Sequence, residues 1–186
     1  MHRQKLIRDI ENYREKYPLE ISVINRLLGF IISTSSCFNR SQVDGHITGS
    51  AWLVNNDHQV LLTYHKKLQM WLQLGGHADG NASVKDVALK EAEEESGISD
   101  LKIVLDSVFD IDIHNIPASA KEARHYHYDV RYLISAGETN HFQISDESIA
   151  MAWINVNDIE SYTTETSILK MKEKYLQYQK AVSNND

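Results

Sequence analysis

The segment from Gly75 to Ile98, GGHADGNASVKDVALKEAEEESGI, constrains the fold more than any other part of the chain. Its apolar spacing predicts a helix over Val84 to Ser96, with Ser83 at the N-cap, Asp86 three residues on and Gly97 as the C-terminal stop. At about 100° per residue, Glu91, Glu94 and Glu95 fall within an arc of about 100°. Val84, Val87 and Ala88 lie on the same stripe one to two turns earlier, so the carboxylates continue the inward-facing side. Asp86, Leu89, Lys90 and Glu93 lie elsewhere. Like charges at this spacing repel by a few tenths of a kcal/mol per pair. In the last turn the helix dipole disfavours an anion by about 0.3–1 kcal/mol. A solvated helix end accounts for one such Glu, less readily for three. A hard divalent cation, which prefers oxygen ligands, accounts for all of them. On geometry alone both readings stay open.

The rest of the chain supplies a setting for this helix. Leu6, Ile7, Ile10 and Tyr13 recur at helical spacing over His2 to Lys16, and Pro18 ends that helix. A second helix is expected from Leu19 to Ser33. His46 to Leu53 and Gln59 to Tyr64 are strand-like, with a turn at Asn55, Asn56 and Asp57, which predicts a hairpin. Met70 to Leu74 reads as a strand running into Gly75-Gly76 as a breaker. Leu101 to Ile113, Arg124 to Ser135 and Met151 to Val156 also read as strands. A final helix is expected from Ser167 to Val182. Strands mixed around one well-marked helix predict an α/β or α+β sandwich. Residues 1–40 would be an N-terminal helical cap, and 41–186 the main domain.

Composition narrows the function classes. The 186 residues hold 19 Lys+Arg against 26 Asp+Glu, a formal charge of −7. That balance argues against a long nucleic acid as the main partner, because backbone phosphates need basic side chains. A small phosphorylated substrate held through metal ions is compatible with it. Cys37 is the only cysteine, which excludes a disulfide scaffold and a multi-cysteine zinc site. The N-terminus is too polar for a signal peptide. The apolar run Ile21 to Ile32 contains Ser22, Asn25, Arg26 and Gly29, and falls short of the roughly 20 residues that span a bilayer. A cytoplasmic protein with no membrane association is the expectation.

The acidic helix and its flanks resemble the Nudix box. That motif runs Gly, five residues, Glu, seven residues, then Arg-Glu-aliphatic-any-Glu-Glu-any-Gly-aliphatic. Here the Gly is Gly76, Lys90-Glu91 stand for Arg-Glu, Glu94-Glu95 for Glu-Glu, and Gly97-Ile98 close it. The spacing is kept over all 23 residues. The later DESIAMAWINVNDIE is similar to the family's closing Glu-to-Trp strand and the helix after it. The resemblance covers roughly residues 45 to 160. Two positions depart: the motif's first Glu is Ala82, and its Arg is Lys90. Lys keeps the charge but loses the planar fork that orients carboxylates.

The resemblance implies a Nudix-type α/β/α sandwich with a mixed sheet and an N-terminal helical extension. It implies a hydrolase of phosphoric anhydride bonds that uses Mg²⁺ or Mn²⁺ and splits the pyrophosphate of a nucleoside diphosphate derivative. Glu91 and Glu95 would be the principal metal ligands, with Glu94 close by and a backbone carbonyl at Gly75 or Gly76 completing the shell. Lys90 would orient the glutamates. The general base would be Glu147, on a loop outside the box, or Glu94. Homodimers are common in the family. The Ala82 and Lys90 departures motivate a second reading, a catalytically weak nucleotide-binding or sensor module.

Nine histidines stand in this chain. His77 follows the glycine pair directly. His125 and His127 are two apart on a strand and share a face with Asp129. His114 lies on the approach to that strand. Together GGHADG, DIHNIPA and HYHYDVRYL resemble a His-rich Nudix subgroup. His77, His125 and His127 are the candidates for contact with substrate phosphate. The pair His125 and His127 also suits acid–base work near neutral pH, an additional transition metal, or a polar strand face under a loop. His2, His46, His58, His65 and His141 are weaker candidates. Trp52, Trp71, Trp153, Tyr64, Tyr126 and Tyr128 could stack a base, but each fits a core or strand position equally well.

Overall fold

A computed structural model describes residues 2–118 and 123–184. Two helices open the chain, α1 (His2–Lys16) and α2 (Ile21–Ser33), joined by a 3₁₀ turn at Pro18–Glu20. Strands β1 (Gly45–Val54), β2 (Gln59–His65), β3 (Trp71–Leu72) and β4 (Leu74–His77) lead into helix α3 (Val84–Ser96). Strands β5 (Lys102–Ile103), β6 (Asp110–Ile116), β7 (His125–Ser135) and β8 (Ser148–Asn155) follow. The chain closes with a 3₁₀ turn, Val156–Ser161, and helix α4 (Thr166–Ser183). The expected α/β sandwich with a mixed sheet is what forms.

The eight strands make one sheet, with β1 at its centre. β1 runs parallel to β7 over ten pairs, from Gly45↔Tyr126 to Val54↔Ser135. Along its other edge it pairs antiparallel with β4 and then with β2. All ten residues of β1 are buried, as a strand covered on both faces must be. Ile47, Ala51 and Leu53 point into one core, shared with Leu6, Ile10, Ile24, Leu27 and Ile31 of α1 and α2 and with Val84 and Ala88 of α3. Trp52 and Val54 point the other way, onto Ile168, Met171 and Tyr175 of α4.

Three expectations are corrected. Gly75 and Gly76 do not break the chain. They lie inside β4, opposite Ser50 and Gly49, because glycine in a strand admits a close neighbour. Leu101 to Ile113 is not one strand. The register against β7 shifts across the polar Asp106 and Ser107, from Ile103↔Ile134 to Asp110↔Arg131, so the residues between loop out and only Lys102–Ile103 and Asp110–Ile116 pair with β7. Ser83 does sit at the N-cap of α3, but its hydroxyl makes no capping bond. Gly97 ends that helix as expected, at φ 67, with its N–H on the Glu93 carbonyl at 2.9 Å. Among the described residues, no helix is long and apolar enough to cross a membrane.

Candidate active site

Helix α3 buries Val84, Val87, Ala88 and Ala92 and carries its acidic residues at the margin of that stripe. Glu91 and Glu95 are half-buried, and Glu94 is exposed. Lys90 reaches both sides of this divide. Its Nζ lies 2.7 Å from Glu94 Oε2 and 3.5 Å from Glu91 Oε1. The Lys at the motif's Arg position therefore still pairs with two of the glutamates. Ala82 packs against the core that α1 helps to build. A glutamate there would have to be fitted beside apolar side chains.

Strand β4 brings the glycine pair onto these carboxylates. The Gly75 N–H donates to Glu95 Oε1 at 2.9 Å. A Cβ on Gly76 would stand 2.5 Å from the carboxyl carbon of Glu91. Only glycine lets the main chain come this close. Burial is the first cause that raises the Glu95 pKa, to about 8; the Gly75 bond opposes it, and the charges of Glu91 and Glu147 push it further up. Burial also raises Glu91, helped by Glu94 and Asp79 and opposed by Lys90. Glu147 stands just before β8, exposed, with its main-chain carbonyl taking the Lys66 N–H at 2.9 Å. The fold thus brings Gly76, Glu91, Glu95 and Glu147 into one electrostatic neighbourhood, with Glu94 and Lys90 on its solvent side.

The donor set fits a hard divalent cation. Carboxylate and carbonyl oxygens are its preferred ligands. The crowding that drives the Glu95 pKa upward is relieved when a cation neutralises it.

Histidines gather across the neighbouring strands. Sheet register places His46 of β1 beside His127 of β7, and His127 beside His114 of β6. The His46 ring centroid lies 4.9 Å from each of His77, His125 and His127. Arg40 Nη2 lies 2.8 Å from His77 Nδ1. Arginine can only donate, so Nδ1 accepts and the proton of a neutral His77 sits on Nε2. His114 Nδ1 donates to Asp112 Oδ2 at 3.0 Å. Burial first, and then the neighbouring imidazoles, holds His127 down at about 2 and His46 at about 4.

His46 had been the weaker candidate on sequence. It is 3% exposed and at the centre of the cluster. The strand pattern marks it only as one polar residue beside Thr48 and Ser50 in HITGSAWL, and the pairing with β7 is what sets it apart. Trp52 is 0% exposed and cannot stack a base from solution. Trp71 is half-buried, edge-on to Tyr64 and to Tyr162.

A buried ionic network runs beyond the histidines on the same face of β7. Asp129 accepts from Thr48 and Ser50 at 2.9 and 2.7 Å and from Arg131 Nε at 2.7 Å. Arg131 continues to Asp110 at 3.0 Å, and Asp110 to Lys174 at 2.6 Å. Lys174 reaches Glu20 at 2.6 Å, and Glu20 accepts from the Tyr13 hydroxyl at 2.6 Å. Burial would raise the Asp112 pKa, but the His114 hydrogen bond and the Arg131 charge hold it at about 2. Asp112 joins this network through Arg131 Nη2 at 3.4 Å.

Comparison with known proteins agrees with the geometry. The family model of the NUDIX domain matches residues 46–175. No curated protein matches the sequence. Solved structures share the fold at low identity. An Ap4A hydrolase of C. elegans, in a binary complex, is 16% identical, covering 73% of this chain and 98% of its own, with a TM-score of 0.58. A Nudix hydrolase of M. smegmatis, RenU, is 14% identical over 74% of this chain and 88% of its own, TM-score 0.56. The MutT protein of Methanosarcina mazei Go1 is 18% identical over 75% and 98%, TM-score 0.55.

A mixed sheet carrying an acidic helix against a glycine strand defines a pyrophosphohydrolase class, and the family match makes the assignment direct. The chain belongs to the Nudix family of hydrolases, which in general work with divalent metal ions.

Proposed function

We propose that this enzyme cleaves the pyrophosphate linkage of a nucleoside diphosphate derivative, such as a nucleotide sugar or nucleotide alcohol, with Mg²⁺ or Mn²⁺ as cofactor. The observation that carries the reading is the Glu91–Glu95 pair on the Gly75-Gly76 strand. A half-buried carboxylate pushed to about 8 is a costly arrangement without a cation. Glu91, Glu95 and the Gly76 carbonyl would hold the metal, with Glu94 at its rim. When bound, such an ion neutralises pyrophosphate charge and lowers the pKa of a coordinated water.

The chain's own residues supply the remaining steps. Water attacks one phosphorus, the bridging P–O bond breaks, and the water's proton passes to a carboxylate. Glu147 is the base in this reading: it is exposed and lies close enough to raise the Glu95 pKa. Glu94 is the less suited base, because Lys90 Nζ already occupies its Oε2 at 2.7 Å. Lys90 instead fixes Glu91 and Glu94. His77, next to Gly76 and with its neutral-form proton on Nε2, donates to a substrate phosphate. His125 and His127 complete the polar wall on the substrate side.

The test is a panel of nucleotide sugars, nucleotide alcohols, dinucleotides and nucleoside triphosphates, assayed with Mg²⁺ or Mn²⁺ for phosphate or nucleoside monophosphate release. Turnover of a diphosphate derivative above the triphosphates supports the proposal. Metal-dependent nucleotide binding without turnover would instead establish the sensor reading that Ala82 and Lys90 motivate.

A further inference from the structure

The strand register sets three imidazoles against one another on β1 and β7. His46 and His127 are paired neighbours on β1 and β7, and His125 precedes His127 by two on the same face. One ring nitrogen from each lies within 4.8 Å of the other two. His125 Nε2 and His127 Nε2 are 3.3 Å apart. Two nitrogens bound tetrahedrally to one ion at 2.0–2.1 Å are separated by about 3.3–3.4 Å. His125 Nδ1 donates to the Ala123 carbonyl at 2.8 Å, which leaves the Nε2 lone pair directed at the cluster. A metal-binding histidine is commonly oriented by such a bond from its other nitrogen.

His46 supplies an independent observation. It is 3% exposed, and neither ring nitrogen finds a hydrogen-bond partner among the described residues. A buried polar atom left in that state costs about 1–3 kcal/mol. A single bond between His125 and His127 does nothing for His46, whereas one ion takes a lone pair from each ring. A cavity of about 190 Å³, lined by Arg40, Gln42, His46, Ala123 and His125, gives a route in from solvent.

We propose that His46, His125 and His127 form a second metal site, for Zn²⁺, distinct from the carboxylate site of α3. Imidazole nitrogens suit zinc, while Mg²⁺ and Mn²⁺ favour the oxygens of Glu91 and Glu95, so the two sites select different ions by ligand chemistry. Three imidazoles leave a fourth position open to water or an anionic oxygen. This site does not depend on the hydrolytic reading.

The test is calorimetric titration of the chelator-treated full chain with ZnCl₂ alone. The expected result is a tight equivalent of zinc in the wild type and in Glu95→Gln, weakened at least tenfold in His125→Gln and in His127→Gln. Unchanged binding in the histidine variants, loss in Glu95→Gln, or no uptake by the wild type would overturn it. Should the histidine variants fail to fold, X-ray absorption of the zinc-loaded wild type decides. Scattering from three imidazoles supports the site, and a shell of oxygens alone contradicts it.

Discussion

Glu95 and the imidazoles pull the stability of the metal-free protein in opposite directions. Glu95 rises from an ordinary 4.5 to about 8. Between those values the folded chain holds a proton that the unfolded chain has released, so stability falls as pH rises through the window. His46 and His127 drop from 6.5 to about 4 and about 2. Below 6.5 the unfolded chain binds protons that the folded chain refuses, so stability falls as pH falls. The two imidazoles outweigh the one carboxyl below 6.5. The expected optimum is therefore near pH 6.5, with a loss of about 1 kcal/mol by pH 8, because the last of the imidazole term offsets part of the Glu95 term. Urea unfolding in the presence of chelator, at pH 5, 6.5 and 8, checks this. Glu95→Gln should flatten the alkaline limb; a stability that climbs from 6.5 to 8 would be inconsistent.

Lys90 makes a second test at the same scale. Its ion pairs are exposed, and such pairs contribute about 0–1 kcal/mol to stability. Lys90→Ala should leave the unfolding midpoint nearly unchanged while lowering turnover about 10- to 100-fold, as loss of a carboxylate-orienting partner does. Lys90→Arg should keep activity, since it restores the motif's own residue. The spacing of the acidic residues was legible before any fold was known, because helix geometry is regular. The centrality of His46 was not, because it depends on which strand lies beside β7.

At the level of elements, the contact between β4 and α3 is the feature to perturb. A methyl group on Gly76 meets the Glu91 carboxyl, so Gly76→Ala should weaken Mg²⁺ binding at least tenfold with the sheet intact. Titration calorimetry reads this directly. Sequence placed Val84–Ser96 within its observed bounds because the helix has both an apolar period and a glycine stop. It misjudged Gly75-Gly76 and Leu101–Ile113 for one shared reason. A glycine pair and an apolar run are each ambiguous until a partner strand is known: β1 claims the glycines, and β7 lets go of the chain between Val104 and Phe109.

Across the whole molecule, the N-terminal helices and α4 are tied to the sheet by charge as well as by apolar packing. Lys174 is 5% exposed and joins Asp110, Glu20 and Tyr13. Lys174→Met takes one buried cation from Asp110 and Glu20, which keep Arg131 and Lys170, and should cost about 1–3 kcal/mol, visible as a lowered thermal midpoint. Residues 1–40 extend the family domain, yet Leu6, Ile10, Ile24, Leu27 and Ile31 sit in the same core as β1. Each such side chain contributes about 1.5–3 kcal/mol by burial, against a total stability of about 5–15 kcal/mol. A chain lacking the first 33 residues is expected not to fold cooperatively. The two helices were readable from period and proline; their hold on the sheet was not, because the ionic partners lie far apart in sequence.

The central claim is that the α3 carboxylates serve hydrolysis. Its most direct test compares turnover of the best diphosphate substrate by the wild type and by Glu95→Gln, with saturating Mg²⁺ and with folding matched by circular dichroism. The expected result is a fall of at least about 10²-fold for Glu95→Gln. Turnover within a few-fold of the wild type would contradict the account.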